Sequence, residues 1–145
     1  MQFKIATILA LGASTLASPT PQASAIDPED IVILDFSARH QTDGSVDSVG
    51  LHLNGHDEQN LYCGQTGNVV LGEKYACGDS KYSFALVKGL YDTWGVRIFH
   101  QWGVASGVSG YRDIPTYCHA GPSGSTICTL QTIVSLYIDS SPKDW

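Results

Sequence analysis

His52, His56, His100 and His119 are the side chains best placed in type to move protons or bind metal near neutral pH. His52 and His56 stand four residues apart, beside Asp57 and Glu58. On one unbroken strand they would share a face, but Asn54-Gly55 reads as a turn between them. A zinc site needs three or four protein ligands, and no third ligand has a suitable spacing. The expectation is a solvent-facing pair and no metal. His100 and His119, with Arg97, Arg112, Glu58 and Glu73, are the raw materials of a secreted ribonuclease. Such an enzyme uses a carboxylate and a histidine as general base and acid, and arginine to stabilise phosphoryl charge. The six are dispersed along the chain without a motif that ties them together. No G-x-S-x-G elbow is present; Gly121-Pro122-Ser123-Gly124-Ser125 reads as a turn. No phosphate loop, dinucleotide fingerprint or calcium loop appears either, so no cofactor and no catalytic residue is expected. Tyr82, Tyr91, Trp94, Phe99, Trp102, Tyr111 and Tyr117 crowd the second half. Most are expected in the core, with one or two free to anchor a ligand or partner.

The elements that must position these residues are strands. Val32, Leu34 and Phe36 alternate with Ile33 and Asp35; Val49, Leu51 and Leu53 alternate with Gly50, His52 and Asn54. Phe84 and Leu86 form a shorter case, and Val96 and Ile98 alternate with Arg97 and Phe99. Cys128, Leu130, Thr132, Val134, Leu136 and Ile138 share one face of a long closing strand. Asp43-Gly44, Asn54-Gly55, Lys88-Gly89, Ser109-Gly110 and Gly121-Pro122 punctuate these runs. No window has the period of a long amphipathic helix. Many short strands at near-regular spacing predict an all-β barrel or sandwich.

The chain has 145 residues, a length suited to one domain. Lys4 precedes an apolar run, Ile5 to Leu16, and Ala17 is followed by Ser18-Pro19-Thr20-Pro21. This is the pattern of a secretory signal, 1–17, cleaved after Ala17. A Pro/Ser/Ala-rich lead-in, 18–30, precedes a folded domain, 31–145. Loss of Lys4 leaves seven basic residues against fourteen acidic ones, a formal charge of −7. Such a chain lacks the clustered Lys and Arg that nucleic acid requires. Beyond the signal no apolar run approaches the roughly 20 residues that span a bilayer.

Four cysteines, Cys63, Cys77, Cys118 and Cys128, behind a secretory signal read as two disulfides. Three pairings are open. The local pairs, Cys63 with Cys77 and Cys118 with Cys128, are expected because each closes a short loop rich in turn formers.

The motifs Leu51-His52-Leu53-Asn54, Tyr62-Cys63, Lys74-Tyr75-Ala76-Cys77-Gly78, Tyr82-Ser83-Phe84, Pro115-Thr116-Tyr117-Cys118-His119-Ala120-Gly121 and Ile127-Cys128 occur in that order. In order and cysteine spacing the chain, from about Ile31 to Asp139, resembles the family of the Alternaria major allergen. The resemblance implies an antiparallel β-barrel stapled by the two local disulfides. It also implies a secreted fungal protein without enzymatic chemistry, an allergen, elicitor or effector in plant colonisation. The implied partner is a host extracellular defence protein of the thaumatin-like class, met in the plant apoplast; a small aromatic, flavonoid-type ligand is the implied alternative. That allergen carries a further cysteine ahead of its first strand that links two subunits. Residues 18–31 hold none here, so a monomer or weak non-covalent dimer is expected.

Overall fold

The computed structural model describes residues 28–140. The signal segment 1–17 and most of the lead-in lie outside the described residues. Ten strands and one 3-10 turn, Pro122–Gly124, follow. One sheet holds β1 (Glu29–His40), β2 (Val46–Asn54), β3 (Leu61–Val69), β8 (Thr116–Ala120), β9 (Thr126–Leu130) and β10 (Val134–Ile138). Its order is β3-β2-β1-β9-β8, with β10 also against β1. The second holds β4 (Tyr75–Ala76), β5 (Tyr82–Lys88), β6 (Trp94–Gly103) and β7 (Ser106–Ile114), in that order. Every pairing is antiparallel.

The all-β expectation holds, but the barrel does not. Among the described residues each sheet is an open path whose first strand does not pair with its last, and no ladder joins the two sheets. The chain passes from β7 to β8 through Pro115, which has no N–H to continue a ladder. At the other margin β4 is only two residues long, too short to carry pairing from β5 across to β3. Just past β10, Ser140 N–H donates to Ser109 O of β7 at 2.8 Å, and Ser109 N–H donates to Ser140 Oγ at 3.1 Å.

The two sheets bury one core between them. Ile31, Ile33, Phe36, Val49, Leu51 and Leu53 meet Phe84, Leu86, Val96, Ile98 and Ile114, all fully or nearly fully buried. Each such side chain contributes about 1.5–3 kcal/mol on burial. The Cys63–Cys77 disulfide ties β3 to the residue after β4, and so one sheet to the other. Cys118–Cys128 bridges directly paired residues of β8 and β9.

Two strands depart from their simple alternation. Leu34 is opposite His52 and Ser37 is opposite Gly50, so Asp35 and Phe36 together face Leu51. Asp35 takes φ 50° to make this bulge. The inward set therefore changes phase, from Ile31 and Ile33 to Phe36 and Ala38, and leaves Val32 and Leu34 half-buried. The long closing run also divides. Opposite the bulge the chain leaves the ladder at Gln131–Ile133, and β9 pairs with the second half of β1 while β10 pairs with the first. Asp tolerates the left-handed region, whereas a β-branched residue there is strained. Asp35→Val is expected to cost about 1–3 kcal/mol, and Asp35→Gly to leave stability level or slightly raised. Urea midpoints of the two variants check this.

Candidate functional site

β1 begins at Glu29, two residues ahead of Ile31, and this charged residue is buried. Its carboxylate sits under the turn that follows β2. Oε1 accepts the Tyr82 hydroxyl at 2.5 Å and also the His56 backbone N–H. Oε2 lies 2.6 Å from Nδ1 of His100, which is only 5% exposed. The other ring nitrogen of His100 is 3.2 Å from Oδ2 of Asp57. A neutral imidazole has one N–H and donates to one of the two carboxylates; an imidazolium donates to both. The Tyr82 ring stacks on His100 at 4.2 Å, and Trp102 meets that imidazole nearly perpendicularly at 5.3 Å.

Local sequence explains the convergence. His100 is the last inward-facing residue of the alternating run Trp94, Val96, Ile98, and its register partner on β5 is Tyr82. Gly55 lets the turn close down on the pair, since a Cβ there would come within 2.5 Å of the Tyr82 hydroxyl and 2.7 Å of Glu29 Oε1. Gln59 Nε2 donates to Gly55 O, and Asn54 Oδ1 accepts the Asn60 N–H, which pins both ends of the turn.

Burial, reinforced by the Glu29 carboxylate, pushes the Tyr82 hydroxyl well above its ordinary pKa, so it remains a donor. Hydrogen bonds from Lys81 and then His56 hold Asp57 below the ordinary carboxylate range. A carboxylate with a depressed folded-state pKa stabilises the fold above its unfolded value of about 3.9, and that stabilisation fades as pH falls through the lower folded value. Asp57→Asn is therefore expected to flatten the fall of the urea midpoint below about pH 4, measured against the parent chain.

Above this cluster lies a cleft of about 810 Å³. Its walls are Pro28, Glu29, Asp30 and Val32 at the start of β1, Asn54 to Asp57 with Gln59 in the turn, and His100 with Trp102 on β6. The other residues singled out by type are elsewhere. His52 lies 3.8 Å from Asp35, against the Tyr62 ring, while His56 lies 3.1 Å from Asp57. Among the described residues no group of three potential ligands is arranged for a metal ion. Arg97 is on the opposite face of β6 from His100, and Arg112 is exposed on β7. Glu73 neighbours the Tyr75 hydroxyl, Glu58 is in the turn, and His119 is exposed on β8 beside Tyr117. The ribonuclease set does not converge, and the partners of His100 are two carboxylates outside it, Glu29 and Asp57. Of the aromatic residues, Tyr82 and Trp94 are in the core, Phe99 and Tyr111 are half-buried, and Tyr91, Trp102 and Tyr117 are exposed.

A second organised feature is the Gly89–Thr93 loop. Asp113 accepts backbone N–H groups from Leu90 at 2.9 Å, Tyr91 at 2.6 Å and Asp92 at 3.3 Å, and it also takes the Tyr111 hydroxyl. Burial raises the Asp113 pKa, but the Tyr111 hydroxyl and these three amides outweigh it and hold the carboxyl below its usual range. The loop presents Tyr91, 95% exposed, at its tip.

The family model for Alternaria alternata allergen 1 matches residues 33–129. Effector protein PevD1 of Verticillium dahliae is 37% identical over 149 aligned residues, which cover 98% of this chain and 96% of that protein. Two crystal structures of the Alternaria alternata major allergen superpose with TM-scores of 0.63 and 0.64, at 18% and 17% identity. They cover 79% and 80% of this chain and 96% and 92% of their own, a likeness of fold. With the family model across most of the two sheets and a full-length relative, the chain belongs to the Alternaria alternata allergen 1 family.

Proposed function

We infer that the chain is a non-enzymatic, secreted fungal protein of the effector, elicitor and allergen kind, and that it works by binding. The observation that carries this is full-length identity of 37% to a protein named as an effector. We propose that the partner is a host extracellular defence protein of the thaumatin-like class, met in the plant apoplast after removal of residues 1–17. The architecture suits recognition without folding on contact. Two disulfides and a shared core hold the loops in place, which limits the ordering entropy lost on association.

The braced loop at Leu90 and Tyr91 is the contact we favour. An exposed aromatic side chain on an organised turn has the character of an interface anchor. The acidic chain favours a basic partner and faster encounter at low salt. All four cysteines are engaged within the chain, which leaves none for a disulfide between subunits and supports binding as a monomer or a weak non-covalent dimer.

Pull-down from apoplastic fluid tests the reading, with the oxidised protein as bait, the reduced chain as control, and mass spectrometry as readout. Retention of a thaumatin-like protein by the oxidised form, weakened by salt and by Tyr91→Ala, is the expected result. Equal retention by the reduced chain, or no defence protein retained, overturns it.

A further inference from the structure

We propose that the cleft between the start of β1, the turn after β2 and Trp102 binds one or two pyranose rings of a neutral oligosaccharide. This site is separate from the protein contact at Tyr91 and stands on different residues.

Its size lies within the usual span of small-ligand sites, roughly 300–1,000 Å³. Its lining mixes acceptors and donors at close quarters: the carboxylates of Asp30 and Asp57, the amides of Asn54 and Gln59, and the His56 imidazole. Neighbouring sugar hydroxyls each donate and accept, so they match a mixed carboxylate–amide wall better than a wall of one kind. Gln59 spends its amide N–H on Gly55 O and keeps Oε1 as an acceptor. Against this wall stands one indole. Trp102 is 39% exposed, and its perpendicular contact with His100 leaves it without an imidazole stacked along it. An aromatic ring with a wet edge is suited to the C–H face of a pyranose, which is apolar while its rim is polar.

Charge narrows the choice. Glu29, Asp30 and Asp57 are all at the cleft, which disfavours phosphorylated or carboxylated ligands. The Asp57 carboxylate is already paired with Lys81 and lies within hydrogen-bond distance of His56 and His100, which lowers its attraction for a cation. A planar polyphenol would find a single indole and, beside Pro28 and Val32, carboxylates and amides that a flat ring leaves partly unpaired. Rigidity completes the case. The floor is the Glu29–His100–Tyr82 network, and the turn is pinned at Gly55 and Asn54, so the wall is formed before a ligand arrives.

Calorimetric titration of the secreted, oxidised protein tests this with cellotetraose, laminaritetraose and N-acetylchitotetraose. Tetragalacturonate, a glucosamine tetramer and a polyphenol are the comparison ligands. Saturable binding of at least one neutral tetramer is expected. It should weaken by at least about tenfold in Trp102→Ala, the scale of loss for a central aromatic anchor, and recover in part in Trp102→Phe. Gln59→Ala, in the exposed turn, should weaken it independently, and His119→Ala on distant β8 should not. The proposal is overturned if no neutral tetramer saturates at millimolar concentration. Binding confined to the charged or polyphenol ligands, or binding that both Trp102→Ala and Gln59→Ala leave intact, overturns it as well.

Discussion

Glu29→Ala is expected to destabilise the fold by about 3–5 kcal/mol, a large share of the 5–15 kcal/mol typical of a domain. The deletion leaves three donors or potential donors without their acceptor: the Tyr82 hydroxyl, the His56 N–H and the His100 ring. Tyr82 and His100 are buried and the His56 N–H partly so, and a buried group that loses its partner costs about 1–3 kcal/mol. Those costs are coupled through one carboxylate and do not add in full. Glu29→Gln separates hydrogen bonding from charge. Its amide oxygen serves Tyr82 and His56, while its N–H2 now faces His100, so a smaller loss is expected. Urea unfolding of both variants gives the comparison. A Glu29→Ala midpoint indistinguishable from the parent would show that the network does not hold β1 in place.

The second large effect is expected at Cys63 and Cys77. Replacing both with alanine should cost about 3 kcal/mol from loop closure alone, as the separation is 14 residues. Both sulfurs are fully buried and join the two sheets, so the cavity adds to that figure. Replacing Cys118 and Cys128 should cost less. That pair closes 10 residues within a hairpin whose ladder already holds the two strands in register. Thermal unfolding of the two double variants ranks them. A milder loss for the Cys63–Cys77 variant would mean that the core alone secures the sheet-to-sheet contact.

How far the sequence discloses this molecule depends on whether the determinant is local. β2 is plain, because Val49, Leu51 and Leu53 follow the strand period without interruption and all three are buried. β1 is legible as a strand but not in phase. The change at Asp35 rests on a positive φ, which a sequence of Val, Leu, Ile and Phe does not announce. The closing run keeps its phase from Cys128 to Ile138, yet it is two strands, because a bent partner cannot be followed by a straight one. Closure into a barrel was a matter of which edges meet, and periodicity carries no information about that.

The site shows the same divide. His100 stands out by type, but its two carboxylates come from 71 and 43 residues away. Glu29 sits where composition suggests a lead-in. The available signal was Glu29-Asp30 directly against the Ile31 run, a charge at a position that the strand then buries. The Asp113 brace has no sequence signature, since its partners are backbone N–H groups of another loop.

β1 is paired with β10 from Glu29 opposite Ile138 onward, so the first strand of the domain cannot complete its sheet until the last one exists. During synthesis and export one edge of this strand, Glu29 to Ile33, must therefore wait without its partner for nearly the whole domain to emerge. The β5–β6–β7 meander and the Cys63–Cys77 loop can form before then, because their partners are near in sequence. A chain of this topology is exposed to aggregation in the interval, and its folding rate is set by the return of its far end. C-terminal truncation before β10 should thus be more damaging to secretion yield than its five residues suggest.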